Sequence, residues 1–420
     1  MKQIIAASRA GRHAGIPSYC TAHPETLRAI FRCYRDNDKP ILIEATCNQV
    51  NQDGGYTGMK PVDFREFVFA LAREADVVTS RIILGGDHLG PNPWKSLSAS
   101  QAMAKARDLV RCYVDAGFTK IHLDASMACA DDQGLVETEM AARAAELCSV
   151  AEKYSGSAEL LYIIGTEVPV PGGETKILEG LAVTKPEAAL RTYELHQAAF
   201  AKRGLEAALA CVIGIVVQPG VDFGNSQIFA FDNAKAAKLA STIQQIPNAV
   251  FEAHSTDYQT PQALHDLVAS HFAILKVGPE LTAAYREAVV AMACIEDRMP
   301  IAIKSNIMSV IADVMNADPK YWQGYIASDN RADLLKIYGL SDRIRYYWPD
   351  SAIQDALKIL HTNIDGASGE IGLIAQFANL PEQRTLSLSQ EIIQARVGAV
   401  VNKYSSACRW SCEDSVEPLH

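Results

Sequence analysis

The chain has 420 residues and a mass of 45.6 kDa, with 39 Lys and Arg against 49 Asp and Glu, a formal net charge of −10 and a pI near 5.5. That balance speaks against nucleic acid or an anionic membrane as the main partner, although it says nothing of a local phosphate pocket. Hydrophobic residues make up 49% of the chain and mean hydropathy is 0.00, values of a soluble globular protein and not of a disordered one. No apolar run reaches the roughly 18–20 residues of a membrane-spanning helix. Met1-Lys2-Gln3-Ile4-Ile5-Ala6 lacks the long apolar core of an export signal. The ten cysteines include no Cys-x-x-Cys pair, which argues against a zinc ribbon or a disulfide scaffold and points to reduced thiols in a cytoplasmic protein.

In chain order, β-rich runs fall at 15–20, 40–45, 81–86, 120–124, 160–165, 211–217, 250–253 and 272–277. Several are nearly continuous in apolar residues, as expected for strands covered on both faces. Helical spacing appears between them at 64–75, 99–116, 137–154, 185–203 and 281–296, with Pro24, Pro61, Pro186 and Pro261 at first-turn positions. This alternation predicts an α/β fold, a closed (β/α)8 TIM barrel over residues 1–298. Residues 299–420 read as a helical extension packed on the barrel, with a loosely ordered tail beyond Ser405. No Gly-x-Gly-x-x-Gly follows the first strand and no Walker lysine motif occurs, so dinucleotide and P-loop readings are poor.

A barrel's active site forms where its strands end, so the residues after each strand carry the functional reading. The second strand runs through Glu44 toward Asn48, the third into Asp87-His88, the fourth into His122 and Asp124. The fifth leads to Thr166-Glu167 and Gly172-Gly173, and the sixth to Gln218-Pro219-Gly220. The seventh ends in His254-Ser255-Thr256 and the eighth in Lys276-Val277-Gly278. His88 and His254, with Asp124, Gln218 and Glu167, could converge on one divalent cation; imidazole with carboxylate or amide oxygen suits Zn²⁺, Mn²⁺, Co²⁺ or Ni²⁺. His122 shares a face with Asp124 and fits a ligand or a supporting role equally. His23 is the least ordinary of the remaining histidines.

Asp87 could hold or release a proton, and its side chain should diverge from that of His88 if the strand pattern persists. Glu44 and Glu252 lie in apolar strands, where an ion pair with Lys276 is the simplest account. Ser255, Thr256 and Gly278 occupy a barrel's usual phosphate position, while Gly172 and Gly173 offer backbone N–H groups, unless they are only a turn.

Long motifs then become recognisable: Asn48-Gln49-Val50-Asn51-Gln52, Gly85-Gly86-Asp87-His88-Leu89-Gly90-Pro91-Asn92, Lys120-Ile121-His122-Leu123-Asp124, Gly165-Thr166-Glu167-Val168-Pro169, Glu252-Ala253-His254-Ser255-Thr256-Asp257 and Ser341-Asp342-Arg343-Ile344-Arg345-Tyr346-Tyr347-Trp348-Pro349. Over nearly the whole chain they resemble the Z-subunit family of D-tagatose-1,6-bisphosphate aldolase. The resemblance implies a barrel serving galactitol, tagatose or amino-galactose breakdown. It also implies one of two roles: C4 epimerisation of D-tagatose 6-phosphate to D-fructose 6-phosphate, or a non-catalytic subunit that supports a separate catalytic aldolase subunit. Independent bisphosphate cleavage is a third reading.

A more distant similarity to class II fructose-bisphosphate aldolases implies an acid/base at Asp87 beside a zinc ligand at His88, and a second zinc ligand at His254. It also implies a role for Lys276-Val277-Gly278. Where that family places a further zinc histidine, this chain has Gln218, a neutral amide.

The expectation taken forward is the metal-dependent 4-epimerase, working by retro-aldol cleavage and re-addition. Asp87 and Glu167 are its catalytic candidates, and His88, His254, Gln218 and Asp124 its metal ligands, zinc first among metals. Asn48, Gly172, Gly173, Gly220, Ser255, Thr256, Lys276 and Gly278 would bind a ketohexose phosphate. The accessory subunit, docking through the extension and its aromatic patch at 346–348, is the alternative, and an oligomer is expected.

Overall fold

Strands made almost wholly of Ile, Leu and Val need cover on both faces, and a ring of helices supplies it. The computed structural model describes residues 1–168, 181–326, 330–367, 369–378, 380 and 385–409. Its barrel strands are β1 (Ile16–Tyr19), β2 (Ile41–Thr46), β3 (Ile82–Leu89), β4 (Lys120–Leu123), β5 (Leu161–Ile164), β6 (Val212–Val217), β7 (Val250–Ala253) and β8 (Ile274–Val277). All pair in parallel, and β8 closes onto β1 with Ile274 opposite Ile16 and Val277 opposite Tyr19. The expected (β/α)8 barrel is therefore present. A two-stranded ribbon, Asp222–Phe223 with Ile228–Phe229, stands outside it.

The barrel's interior is layered. At the strand beginnings Ile16, Leu42, Leu161, Val250 and Ile274 pack with Ile4, Ile5 and Ala7 of a helix the sequence reading did not anticipate, Lys2–Arg9. That helix plugs the end of the barrel away from the site. Its Arg9 donates to the carbonyls of Ile243, Ile246 and Ala249 at 3.1, 2.7 and 2.7 Å.

Above the apolar layer lies a charged one. Lys120 Nζ sits 2.8 Å from both Glu44 Oε1 and Glu252 Oε2. Lys276 Nζ lies 2.6 Å from Asp87 Oδ1, 3.4 Å from Glu44 and 3.8 Å from Glu252. Gly85 makes the space, since a Cβ there would fall 2.6 Å from Glu44 Cγ. Buried charges persist only when paired in this way, so the ion-pair account of Glu44 and Glu252 holds, with Lys120 as an additional cation.

The extension includes helices Ile307–Ala317, Ala332–Tyr338, Ser351–Asp365 and Leu388–Cys408. Asp342 fastens it to helix Pro279–Arg298, accepting from Arg286 Nη1 at 2.9 Å and Thr282 Oγ1 at 2.6 Å. The last helix lies against helices Pro24–Tyr34, Pro261–Ala269 and Pro279–Arg298. It runs three residues past the expected end of order at Ser405: Cys408 is buried and its carbonyl accepts the Gly15 N–H at 3.0 Å. Residues 410–420 lie outside those described.

Candidate metal centre

The site begins with an irregularity in β3. Its pairing with β4 shifts between Gly86 and Leu89, and His88 takes a left-handed backbone, φ 52°. A bulge of this kind re-aims side chains. The strand alternation that would separate Asp87 from His88 is broken, and both face the barrel centre, contrary to expectation. Gly90 allows β3 to continue beside β4, because a Cβ there would lie 1.6 Å from the Asp124 carbonyl oxygen.

Ligand atoms of Asp87, His88, His122 and His254, all buried, lie within 4.8 Å of one another. Each imidazole has one nitrogen held by a carboxylate: His88 Nδ1 by Asp124 Oδ2 at 2.8 Å, His122 Nδ1 by Asp87 Oδ1 at 2.9 Å, and His254 Nε2 by Glu252 Oε1 at 2.9 Å. Carboxylates that orient the far side of an imidazole leave the near nitrogen as a lone-pair donor. His122 is placed differently: its Nδ1 faces Asp87 and also accepts the His88 N–H at 3.2 Å, and its Nε2 is buried without a partner among the described residues. The donor set therefore suits a divalent cation held by His88, His122 and His254 with Asp87 beside it.

The imidazoles of the set titrate in opposite directions, His254 downward and His88 upward. Burial pushes His254 down to about 3, against the opposing bond to Glu252. Burial also opposes charge on His88, but the Asp87 charge and the Asp124 bond outweigh it and raise its pKa. For Asp87 burial favours the neutral acid; the charges of His88 and Lys276 overcome this and keep it ionised.

Over the centre opens a cavity of about 330 Å³. Asn48, Asp87, His88, His254, Ser255, Lys276 and Gly278 line it. His23 also lines it, while its Nδ1 accepts from Thr26 N at the head of helix Pro24–Tyr34.

Other expected site residues stand elsewhere. Gln218 Oε1 accepts the N–H groups of Gly220 and Val221 at 2.7 and 2.9 Å, so its amide closes its own turn and is not a ligand. Asp124 acts through His88 and is not in the cluster. Glu167 is exposed and accepts from Thr184 Oγ1 at 2.8 Å, so of the two catalytic candidates only Asp87 faces the cavity. Thr256 Oγ1 is consumed by the Lys276 carbonyl at 2.6 Å, and Gly220, at φ 94°, belongs to the turn that Gln218 closes. Gly172 and Gly173 lie outside the described residues.

His122 was under-read: its strand parity was visible, but the bulge that brings Asp87 beside it was not. The extension also contributes to the site. Arg345, Tyr346 and Trp348 line the cavity, and Tyr347 and Trp348 are buried, so 346–348 is no exposed docking patch. Only their spacing in one aromatic, basic motif signalled a role.

Fold and site together define a (β/α)8-barrel protein with a cation-competent centre at the carboxyl ends of its strands and a roofed cavity above. Comparison with known proteins narrows this class. The chain belongs to the D-tagatose-1,6-bisphosphate aldolase subunit GatZ/KbaZ-like family, whose profile matches residues 1–409. It is 47% identical to the D-tagatose-1,6-bisphosphate aldolase subunit GatZ of Escherichia coli O6:K15:H31 (strain 536 / UPEC), over 97% of this chain and 100% of that one. The same identity and coverage relate it to the GatZ subunit of Escherichia coli O1:K1 / APEC. A crystal structure described as a probable tagatose 6 phosphate kinase from Sinorhizobium meliloti 1021 superposes with a TM-score of 0.86 at 45% identity, covering 94% of this chain and 100% of that one. These full-length relatives named as aldolase subunits overturn the 4-epimerase expectation in favour of the subunit alternative. Among the described residues no helix is long and apolar enough to cross a membrane.

Proposed function

We propose that this chain is the Z-type subunit of a D-tagatose-1,6-bisphosphate aldolase, sustaining the activity and stability of a separate catalytic subunit. We further propose that its barrel mouth binds a divalent cation and a phosphorylated ketose. The 47% identity over the full length of a relative so named carries the first part; the carboxylate-backed imidazole cluster carries the second. His88, His122 and His254 would hold the ion, and zinc suits such a set best. When bound, the ion supplies Lewis-acid polarisation of a ketose oxygen. Asp87, kept ionised beside Lys276, accepts a hydrogen bond from a sugar hydroxyl, while Asn48 and Ser255 line the space the sugar occupies. Ser255, on the cavity wall beyond β7, receives a phosphate, because the N–H groups of Gly278 and Glu280 at the head of helix Pro279–Arg298 are taken by Asp257.

The test is reconstitution. Metal-replete chain is added to a catalytic tagatose-bisphosphate aldolase subunit, and cleavage rate and thermal inactivation of the mixture are followed. A raised rate and slower inactivation are expected. Identical behaviour with and without the chain would overturn the subunit reading, and absence of tight metal binding by the chain alone would overturn the second part.

A further inference from the structure

The motif from Ser341 to Pro349 carries more positive charge than the described residues around it neutralise. Arg286, Arg343 and Arg345 gather around one carboxylate, Asp342, which is taken up by Arg286 and Thr282. Arg343 is buried, with its guanidinium over Tyr325 and Tyr346 at 3.5 and 4.6 Å; Nε donates to the Tyr321 carbonyl at 2.6 Å, and Nη1 is buried without a partner. Arg345 is half-buried on the cavity wall. Its Nη1 donates to the carbonyls of Ser341 and Asp342, and its Nη2 to Tyr346 Oη at 2.9 Å. Among the described residues neither Arg343 nor Arg345 has a carboxylate within salt-bridge distance, and Nε of Arg345 has no acceptor.

Tyr346 is fixed between them. Tyr321 stacks on its ring at 4.7 Å, and Tyr56 of the loop after β2 meets it edge-on at 4.7 Å. Burial would raise its phenol pKa, but the charges of Arg345 and Arg343 outweigh this and lower it. A guanidinium removed from water without an anion is costly. A rigid fork at a cavity wall, its remaining donors uncommitted, is what recognition of a phosphate uses.

We propose that Arg345, supported by Arg343 and Tyr346, forms an anion subsite for a phosphate monoester, distinct from the one at Ser255. The proposal deepens the reading above and rests on it for the sugar between the two subsites. Ser255, beyond β7, and Arg345, on the extension, line the same cavity. A six-carbon ketose phosphorylated at both ends can engage both, and one phosphorylated once reaches a single subsite. The C-terminal extension thus sets the choice of bisphosphate over monophosphate.

The full metal-replete chain is titrated calorimetrically with D-tagatose 1,6-bisphosphate, with each of its two monophosphates and with inorganic phosphate. Wild type should prefer the bisphosphate to either monophosphate by about tenfold or more, the order of a charge-assisted bidentate contact. Arg345→Met should abolish that preference, leave one monophosphate's affinity unchanged and bind one inorganic phosphate fewer per chain. Arg345→Lys, which keeps the charge and the fold but loses the fork, should fall between them and guards against misfolding of the first variant. Equal affinities in wild type, or an undiminished preference in Arg345→Met, would overturn the subsite. If no sugar phosphate binds but inorganic phosphate does so in an Arg345-dependent way, the anion subsite stands and the ketose reading fails; if inorganic phosphate does not bind either, both fail.

Discussion

His88 Nδ1 lies 2.8 Å from Asp124 Oδ2, and that bond decides which ring nitrogen His88 presents to the centre. Asp124 also accepts from Ser126 Oγ at 2.6 Å, so the carboxylate is itself held in place. Asp124→Ala should lower divalent-cation affinity by about 10- to 100-fold, the usual cost of losing such an orienting partner. Competition with a chromophoric chelator measures it, and unchanged affinity would detach Asp124 from the centre.

His122 and Gln218 separate the observed ligand set from the one expected from sequence. His122→Ala removes a buried nitrogen that has no partner among the described residues, and bound metal should fall below one ion per chain at micromolar concentrations. Gln218→Ala should leave metal content intact and cost about 1–2 kcal/mol in urea unfolding, because two N–H groups lose their acceptor. Metal analysis of the two variants side by side distinguishes them; loss of metal in the Gln218 variant would refute the assignment.

Lys120 lies fully buried between Glu44 and Glu252. Lys120→Met leaves Glu44 with Ser18 Oγ at 2.5 Å and Glu252 with His254 Nε2 at 2.9 Å, and the only lysine near the two carboxylates is then Lys276, at 3.4 and 3.8 Å. Breaking a buried pair by removing one partner costs about 3–5 kcal/mol. Denaturant unfolding should show a loss of that size, and a change within experimental scatter would mean the charged layer is dispensable.

Asp257 accepts the N–H groups of Gly278 and Glu280 at 3.0 and 2.8 Å, at the head of helix Pro279–Arg298. Burial lifts its carboxyl from the ordinary 3.8 to about 7, against the pull of those bonds. Between these two values the folded chain keeps a proton that the unfolded chain has released, so stability falls as pH rises. The contribution is complete below the lower value and gone above the upper one. Asp257→Asn keeps the acceptor without the charge, and should flatten the decline while matching or exceeding wild type in urea at alkaline pH. A decline as steep as that of wild type would assign the slope to other groups.

The barrel was legible because its signal is local: each strand is a short apolar run, and helix starts carry prolines or caps such as Ser98 and Thr260. Asp87, His88 and His254 were legible for a related reason, being polar residues at the ends of apolar strands. What escaped was tertiary. The pairing shift in β3 that turns Asp87 and His88 to one side depends on contacts with β4. Gln218 failed as a ligand through two bonds to its own turn, and Arg345 entered the cavity only because Asp342 pins the extension to Arg286. Helix Lys2–Arg9 was passed over because one short apolar stripe has no meaning until the open end of a barrel is there to receive it.

Helix Leu388–Cys408 follows all eight strands in the chain, yet it covers helices that come well before it and accepts a backbone hydrogen bond from Gly15. During synthesis all eight strands are out before their wrapping is whole. A nascent chain halted after Arg298 would present the flank of Pro24–Tyr34 and Pro279–Arg298 to water, a sticky face awaiting the extension. Because Arg345, Tyr346 and Trp348 also belong to the cavity wall, the mouth of the barrel gains its full lining only once the extension has followed the strands.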